Sequence, residues 1–163
     1  MNDDRLAVAK ATGADVVINP GKQKPSEALR QANDGILADV VIEASGYPGT
    51  TQQAMELARD RGRVAILGWH TEGVHFDFGE FYFHELTVIA SQATGPEAGL
   101  PYSYVRWTSD QSLKWAIQLI ADGKISGKCF VPTRFHYSEI EKVYRMIDGH
   151  DPTVGLQTVL TWD

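Results

Sequence analysis

Few stretches of this 163-residue chain combine residue types that could do chemistry with side chains alone. His84-Glu85 begins an H-E-x-x-H pattern, in which two histidines on one helical face hold zinc and the glutamate serves as base. The fifth position is Val88, so the second ligand is missing and zinc hydrolysis is excluded there. His70 and His75 lie five apart in an aromatic loop as a possible metal pair, and read as loop histidines of no role. Gly123-Lys124-Ile125-Ser126 has the close of a phosphate-binding loop without its upstream glycine-rich turn, and reads as a helix stop. Cys129 is the single cysteine, which excludes internal disulfides and any multi-cysteine zinc site. It lies in a strand-like run and reads as a small buried hydrophobe. His136 and His150 flank helices and read as structural or solvated.

The remaining candidates are backbone positions at the ends of strands. The stretch 38–69 (ADVVIEASGYPGTTQQAMELARDRGRVAILGW) opens with the apolar run Val40-Val41-Ile42 and closes on Glu43-Ala44-Ser45-Gly46. Thr51, Ala54, Met55 and Ala58 then follow at i, i+3, i+4 and i+7, the spacing of one buried helical stripe, with Gly62 placed to stop the helix. A second apolar run, Val64-Ala65-Ile66-Leu67, closes on Gly68. Neither run alternates with polar residues, which is the pattern of parallel strands covered on both faces. Strand, helix and strand in this order make a right-handed crossover. The carboxyl ends of both strands, 44–46 and 67–69, then meet at one edge, where open α/β sheets bind ligands. The unit reads as half of a dinucleotide-binding fold.

The flanking chain supplies more of the same alternation. Residues 5–11 predict a short helix ended by Gly13, and Asp15–Asn19 a short strand broken by Pro20-Gly21. Pro25 and Ser26 open a helix in which Leu29, Ala32 and Ile36 share a face. After Gly68 comes an aromatic loop with Trp69, Phe76, Phe78, Phe81, Tyr82 and Phe83 among acids, and then a strand over 85–91. Residues 92–110 are Gly/Pro-rich and irregular, a length of loop that is usually functional. Thr108-Ser109-Asp110-Gln111 has capping-box spacing and starts a helix with Leu113, Ala116, Ile117 and Ile120 on one side. A strand follows over 129–135. Ser138-Glu139-Ile140-Glu141 opens a last helix, with Ile140, Val143, Tyr144 and Ile147 inward and Gly149 as stop, and 156–162 closes as an alternating strand.

The composition, 43% hydrophobic and 22% charged, is that of a soluble globular protein. A net charge of −6 opposes nucleic-acid binding, which needs basic groups to replace counterions. No apolar run approaches the roughly 20 residues of a membrane span, and no signal peptide is read, so the expected location is cytoplasmic.

The order of pieces resembles the C-terminal part of the medium-chain dehydrogenase/reductase family, zinc-type alcohol and polyol dehydrogenases among them. The resemblance rests on RLAVAKATGADVVIN at 5–19, ADVVIEASG at 38–46, GRVAILG at 62–68, ELTVIAS at 85–91 and the closing stretch from Thr133 to Leu160. It covers essentially the whole chain. It implies an α/β fold: an incomplete Rossmann-like parallel sheet lacking the first two strands, with helices on both faces. Residues 1–127 would be a partial nucleotide-binding domain and 128–163 a segment that in the family returns to the catalytic domain.

The resemblance further marks Ser45, Gly46, Leu67, Gly68, Trp69, Ile89, Ala90 and Ser91 as the cofactor-binding edge. In full-length relatives the cofactor is NAD or NADP. The zinc ligands and the glycine fingerprint of the first strand have no counterpart here, since no G-x-G-x-x-G occurs in the sequence. Gln157 is neutral where relatives commonly have a cation for the pyrophosphate, and Thr133 stands where many have histidine. The expectation is therefore a truncated dehydrogenase-like protein with no catalytic or metal residues assigned, no tight cofactor binding by this chain, and no hydride transfer alone. Two alternatives stay open: an oxidoreductase completed by oligomerisation or by a separate N-terminal chain, and a non-catalytic interaction module. Exposed sheet edges invite pairing, so a homodimer through Leu86–Ser91 or through the open sheet edge is expected.

Overall fold

The computed structural model describes residues 3–70, 73–91, 107–128, 130 and 133–163. The chain divides into two compact units, one over Ile18–Gln118 and the other over Asn2–Val17 with Leu119–Asp163. The readings for Cys129 and for residues 92–106 lie outside the described residues.

The first unit is built on a three-stranded parallel sheet. Helix α2 (Pro25–Ala32) precedes strand β1 (Ala38–Glu43); helix α3 (Thr50–Leu57) joins it to β2 (Ala58–Ile66); helix α4 (Phe78–Phe83) leads to β3 (Thr87–Ala90) (α1 belongs to the second unit). The strand order is β1-β2-β3, with Val41 opposite Val64 and Val64 opposite Val88. Side chains alternate along each strand, so Val41, Glu43, Val64 and Ile66 share the face on which α3 packs. There Ala54, Met55, Ala58, Val64 and Leu86 form the core, with Val41, Ile66 and Phe81 against it. Val64 is fully buried.

The apolar strands are not covered on both faces as their pattern predicts. Val40 and Ile42 of β1 and Ile89 of β3 fall on the other face and are 46%, 62% and 50% exposed. An unbroken apolar run records what a strand can bury, whereas coverage depends on which elements fold over it.

Several boundaries also differ. Asp15–Asn19 forms no strand, because an extended segment is a strand only when a neighbour takes up its backbone groups. The helix from Pro25 stops at Ala32, and Ile36 lies beyond it, 55% exposed, after a turn through Asp34 and Gly35. Gly62 does not stop α3. The helix ends at Leu57, Ala58 already pairs with Ala38, and the register then jumps to Val40 with Arg63, leaving 59–62 as an irregularity in β2. Gly62 is needed there for space: a Cβ would lie 2.7 Å from the Arg59 carbonyl oxygen. Part of the aromatic loop is helical, with Asp77 accepting from the Gly79 amide to cap α4.

Helix α5 (Ser109–Ala121) starts with the expected capping box: the Thr108 amide donates to the Gln111 side chain at 2.9 Å, and the Gln111 amide donates back to Thr108 at 3.3 Å. Its stripe is not buried, with Leu113, Ile117 and Ile120 each about three-fifths exposed.

In the second unit, helix α1 (Asp3–Ala11) ends before Gly13, whose φ is +115°. Strands β4 (Thr133–His136) and β5 (Thr158–Thr161) pair in parallel, and helix α6 (Ile140–Asp148) lies between them in sequence. His136, rather than Ser138, caps the turn that leads into α6, accepting from the Ser138 amide. Only Val143 of the four residues expected inward on α6 is buried, and Tyr144 is 67% exposed. No described helix is long and apolar enough to cross a membrane.

Candidate functional site

Parallel strands end together, so the carboxyl ends of β1, β2 and β3 form one edge of the sheet. The Leu67 and Gly68 amides donate to the Glu43 carbonyl at 2.7 and 3.0 Å, and the Ser91 amide donates to the Ile66 carbonyl at 2.9 Å. Ser45-Gly46, Leu67-Gly68-Trp69 and Ile89-Ala90-Ser91 are thereby brought to the same edge. Ser45 and Ser91 are exposed, Leu67 is half exposed and Trp69 is 78% exposed.

Two glycines let the first two loops touch. Gly46 has φ +70°, and a Cβ there would lie 2.6 Å from the Trp69 carbonyl oxygen. A Cβ on Gly68 would lie 2.8 Å from the Gly46 Cα and 2.5 Å from Glu43 Oε2. Backbone meets backbone at both positions, so no larger residue fits without moving the edge.

Beneath this contact lies Glu43, a carboxylate at a core-facing position, its side chain 2% exposed. A buried charge is costly unless hydrogen bonds replace its hydration. Here Oε1 accepts from the Ser45 hydroxyl (2.5 Å), the Ser45 amide (2.8 Å) and the Gly46 amide (3.3 Å). The Thr50 hydroxyl lies 2.9 Å from Oε1 and 2.6 Å from the Tyr47 carbonyl, and its single proton serves either acceptor. Oε2 lies 3.1 Å from His70 Nε2, which must carry the proton because the carboxylate is only an acceptor. His70 is 11% exposed, and its Nδ1 is buried with no partner among the described residues. Burial pushes the Glu43 carboxyl up, but the Ser45, Thr50 and His70 hydrogen bonds outweigh it and bring the pKa from 4.5 to about 2.

The sequence reading missed Glu43, Thr50 and the role of His70. Its one usable signal was a glutamate two residues after Val41, on the parity that faces the core. His70 is engaged with Glu43, and His75 is exposed. Among the described residues no group of three or more His, Cys, Asp or Glu is placed to hold a metal, so this donor set does not fit a zinc ion. The edge offers flat glycine backbone and exposed apolar surface, and the sequence has no G-x-G-x-x-G turn of the kind that receives a diphosphate.

The opposite, amino-terminal end of the sheet carries an open cleft of about 860 Å³ between α2, α3 and α4. Several of its charged side chains pair at the surface. Arg59 meets Asp39 at 2.6 Å, and His84 lies between Asp60 at 2.6 Å and Glu80 at 3.5 Å.

Residues 1–109 match the family described as zinc-binding dehydrogenase. An L-threonine 3-dehydrogenase from Symbiobacterium thermophilum is 46% identical over 68 residues, 42% of this chain and 19% of that protein. A sorbitol dehydrogenase from Halalkalibacterium halodurans is 28% identical over 155 residues, 94% of this chain and 41% of that protein. The fold matches an alcohol dehydrogenase from Thermus sp. ATN1 with a TM-score of 0.76 at 20% identity, covering 99% of this chain and 42% of that one. It also matches an alcohol dehydrogenase from E. coli CFT073, solved with NADH, with a TM-score of 0.73 at 21% identity, covering 99% of this chain and 42% of that one. The chain thus spans at most about two fifths of the length of these relatives. The family match over 1–109, together with a parallel sheet whose loops meet at its carboxyl edge, leads to one conclusion: the chain belongs to the zinc-binding dehydrogenase family, of the medium-chain, alcohol-dehydrogenase-like type, and corresponds to its C-terminal part.

Proposed function

We propose that this chain supplies the second part of a nicotinamide-dinucleotide site, in the manner of zinc-type alcohol and polyol dehydrogenases, and does not transfer hydride alone. The observation that carries this reading is the carboxyl edge, where Gly46 and Gly68 bring two strand-end loops into backbone contact beside exposed Trp69. When bound, the nicotinamide ring accepts or releases the hydride. The chain's own residues would bind and orient: Gly46 and Gly68 keep side chains away from a close-lying ligand, Leu67 and Trp69 offer apolar surface, and Ser45 and Ser91 offer hydroxyls. The lack of a G-x-G-x-x-G in this sequence argues for weak binding of the diphosphate by this chain.

Titrating the chain with NADH and NADPH while following tryptophan fluorescence tests this. Saturable quenching that disappears in Trp69→Phe supports the reading. No response up to millimolar cofactor, alone or with a polypeptide carrying the glycine fingerprint, overturns it.

A second reading concerns assembly. We propose a homodimer formed through β3 or through the open β1 edge, supported by the exposure of Val40, Ile42 and Ile89 on sheet strands. Sedimentation across a concentration series should give a dimer that Ile42→Lys or Ile89→Lys dissociates. A monomer at all concentrations refutes it.

A further inference from the structure

We infer that Glu43 and His70 are positioning residues, a tether that holds the β1 and β2 loops together as one preformed wall before any ligand arrives. The inference deepens the proposed function and rests on it for the identity of the ligand.

The two loops are far apart in sequence, and their ends are free to separate unless something joins them. One carboxylate does so. Its Oε1 takes the Ser45 hydroxyl and amide from the first loop, and its Oε2 takes His70 Nε2 from the second. The Glu43 carbonyl adds the Leu67 and Gly68 amides. Between these bonds lies Trp69, whose carbonyl oxygen occupies the space a side chain on Gly46 would need. Loss of the His70 bond would free Trp69 and His70 to swing off Gly46, while leaving α3, the strand ladder and the core untouched.

Burying a carboxylate here adds nothing that an apolar residue could not give the core. What only the carboxylate gives is simultaneous acceptance from two loops, and a low pKa keeps it ionised and able to accept at any pH a cell provides. Preorganisation of this kind shows in ligand affinity, because the loops need not be ordered at the moment of binding.

The buried Nδ1, without a partner among the described residues, makes the test sharp. Only Nε2 is used, so a side chain that places an N–H at that distance should replace histidine, and one that places it at the Nδ1 distance should not. His70→Gln carries its amide nitrogen to about the Nε2 position, and His70→Asn only to the Nδ1 position. Glu43→Gln presents an N–H to His70 in place of Oε2, which Nε2 can accept only by passing its own proton to the buried Nδ1, where no described group receives it. In Glu43→Gln with His70→Gln, two amides can pair again.

Two measurements on the whole chain then separate the claims. Without cofactor, amide hydrogen exchange over 44–50 and 67–70 should quicken roughly tenfold in His70→Asn and Glu43→Gln, stay near wild type in His70→Gln, and recover in the double variant. With NADH, the dissociation constant should rise about tenfold in the same two variants and not in the other two. Equal exchange in His70→Gln and His70→Asn would overturn the tether, since side-chain loss alone would then explain both. Wild-type chain that fails to bind NADH would remove the dinucleotide reading, and the exchange data would still decide the tether. Altered exchange with unchanged NADH affinity in a chain that binds would overturn the positioning role.

Discussion

The two ends of the same small sheet treat charge in opposite ways. At the carboxyl end, Glu43 is almost wholly covered and its oxygens meet five side-chain and backbone donors, with no Lys or Arg among them in the described residues. At the amino end, Asp39 and Asp60 are 76% and 83% exposed and meet Arg59 and His84 directly. An ion pair in water gains little, because hydration competes with it and salt screens it. A carboxylate removed from water depends on each bond that replaces its hydration, and it also locates whatever donates those bonds. The covered end is therefore the one built to hold geometry, and the exposed end is a solvated surface.

Substitutions that break the contrast should have unequal effects. The largest is Gly68→Ala, whose new Cβ meets the Gly46 backbone and Glu43 Oε2 and should cost about 3 kcal/mol in urea unfolding. Gly35→Ala near the other end has φ +80° with nothing within 4 Å of the new atom, so only the backbone strain of about 1 kcal/mol is expected. Equal costs would mean that the two loops do not press together.

Glu43→Ala comes next. It strands the His70 imidazole and should lower unfolding free energy by about 2 kcal/mol. Its acid dependence sharpens the comparison. A carboxyl lowered to about 2 in the fold and ordinary, near 4.5, in the unfolded chain binds more protons when unfolded between those values. Its contribution is complete above 4.5 and is lost as pH falls towards 2. The stability difference between wild type and Glu43→Gln should therefore shrink across that interval and be constant above it. A difference that persists unchanged at pH 2 would show that the carboxylate's ionisation is not what stabilises the edge.

The smallest effect belongs to the exposed pair. Arg59→Ala should cost less than about 1 kcal/mol, and the cost should fade in high salt. A cost as large as that of Glu43→Ala would erase the distinction between the ends.

Much of this was legible beforehand, for local reasons. Val40-Val41-Ile42 and Val64-Ala65-Ile66 announced strands, Thr51, Ala54 and Met55 announced the buried face of α3, and Thr108 with Gln111 announced a cap, because each signal lies within a few residues. The strand-helix-strand pattern also put the ends 44–46 and 67–69 at one edge of the sheet, where the parallel pairing of β1 and β2 holds them. The Asp15–Asn19 strand and the inward stripe of α6 failed because both depend on a neighbour that sequence periodicity assumes and cannot supply. Glu43 was passed over for the same kind of reason: its partners Thr50 and His70 are seven and 27 residues away.

The sequence by itself determined the alternation of strand and helix and the glycine positions where the chain can turn or press close. Those properties follow from side-chain volume, backbone freedom and local periodicity, which act over one or two turns of chain. Tertiary structure alone decided which face of the sheet is buried, that Gly62 serves a register shift and not a helix end, and that one buried carboxylate joins two loops. Each of these depends on which distant segments meet, and a hydrogen bond forms only when donor and acceptor lie within about 3 Å of each other.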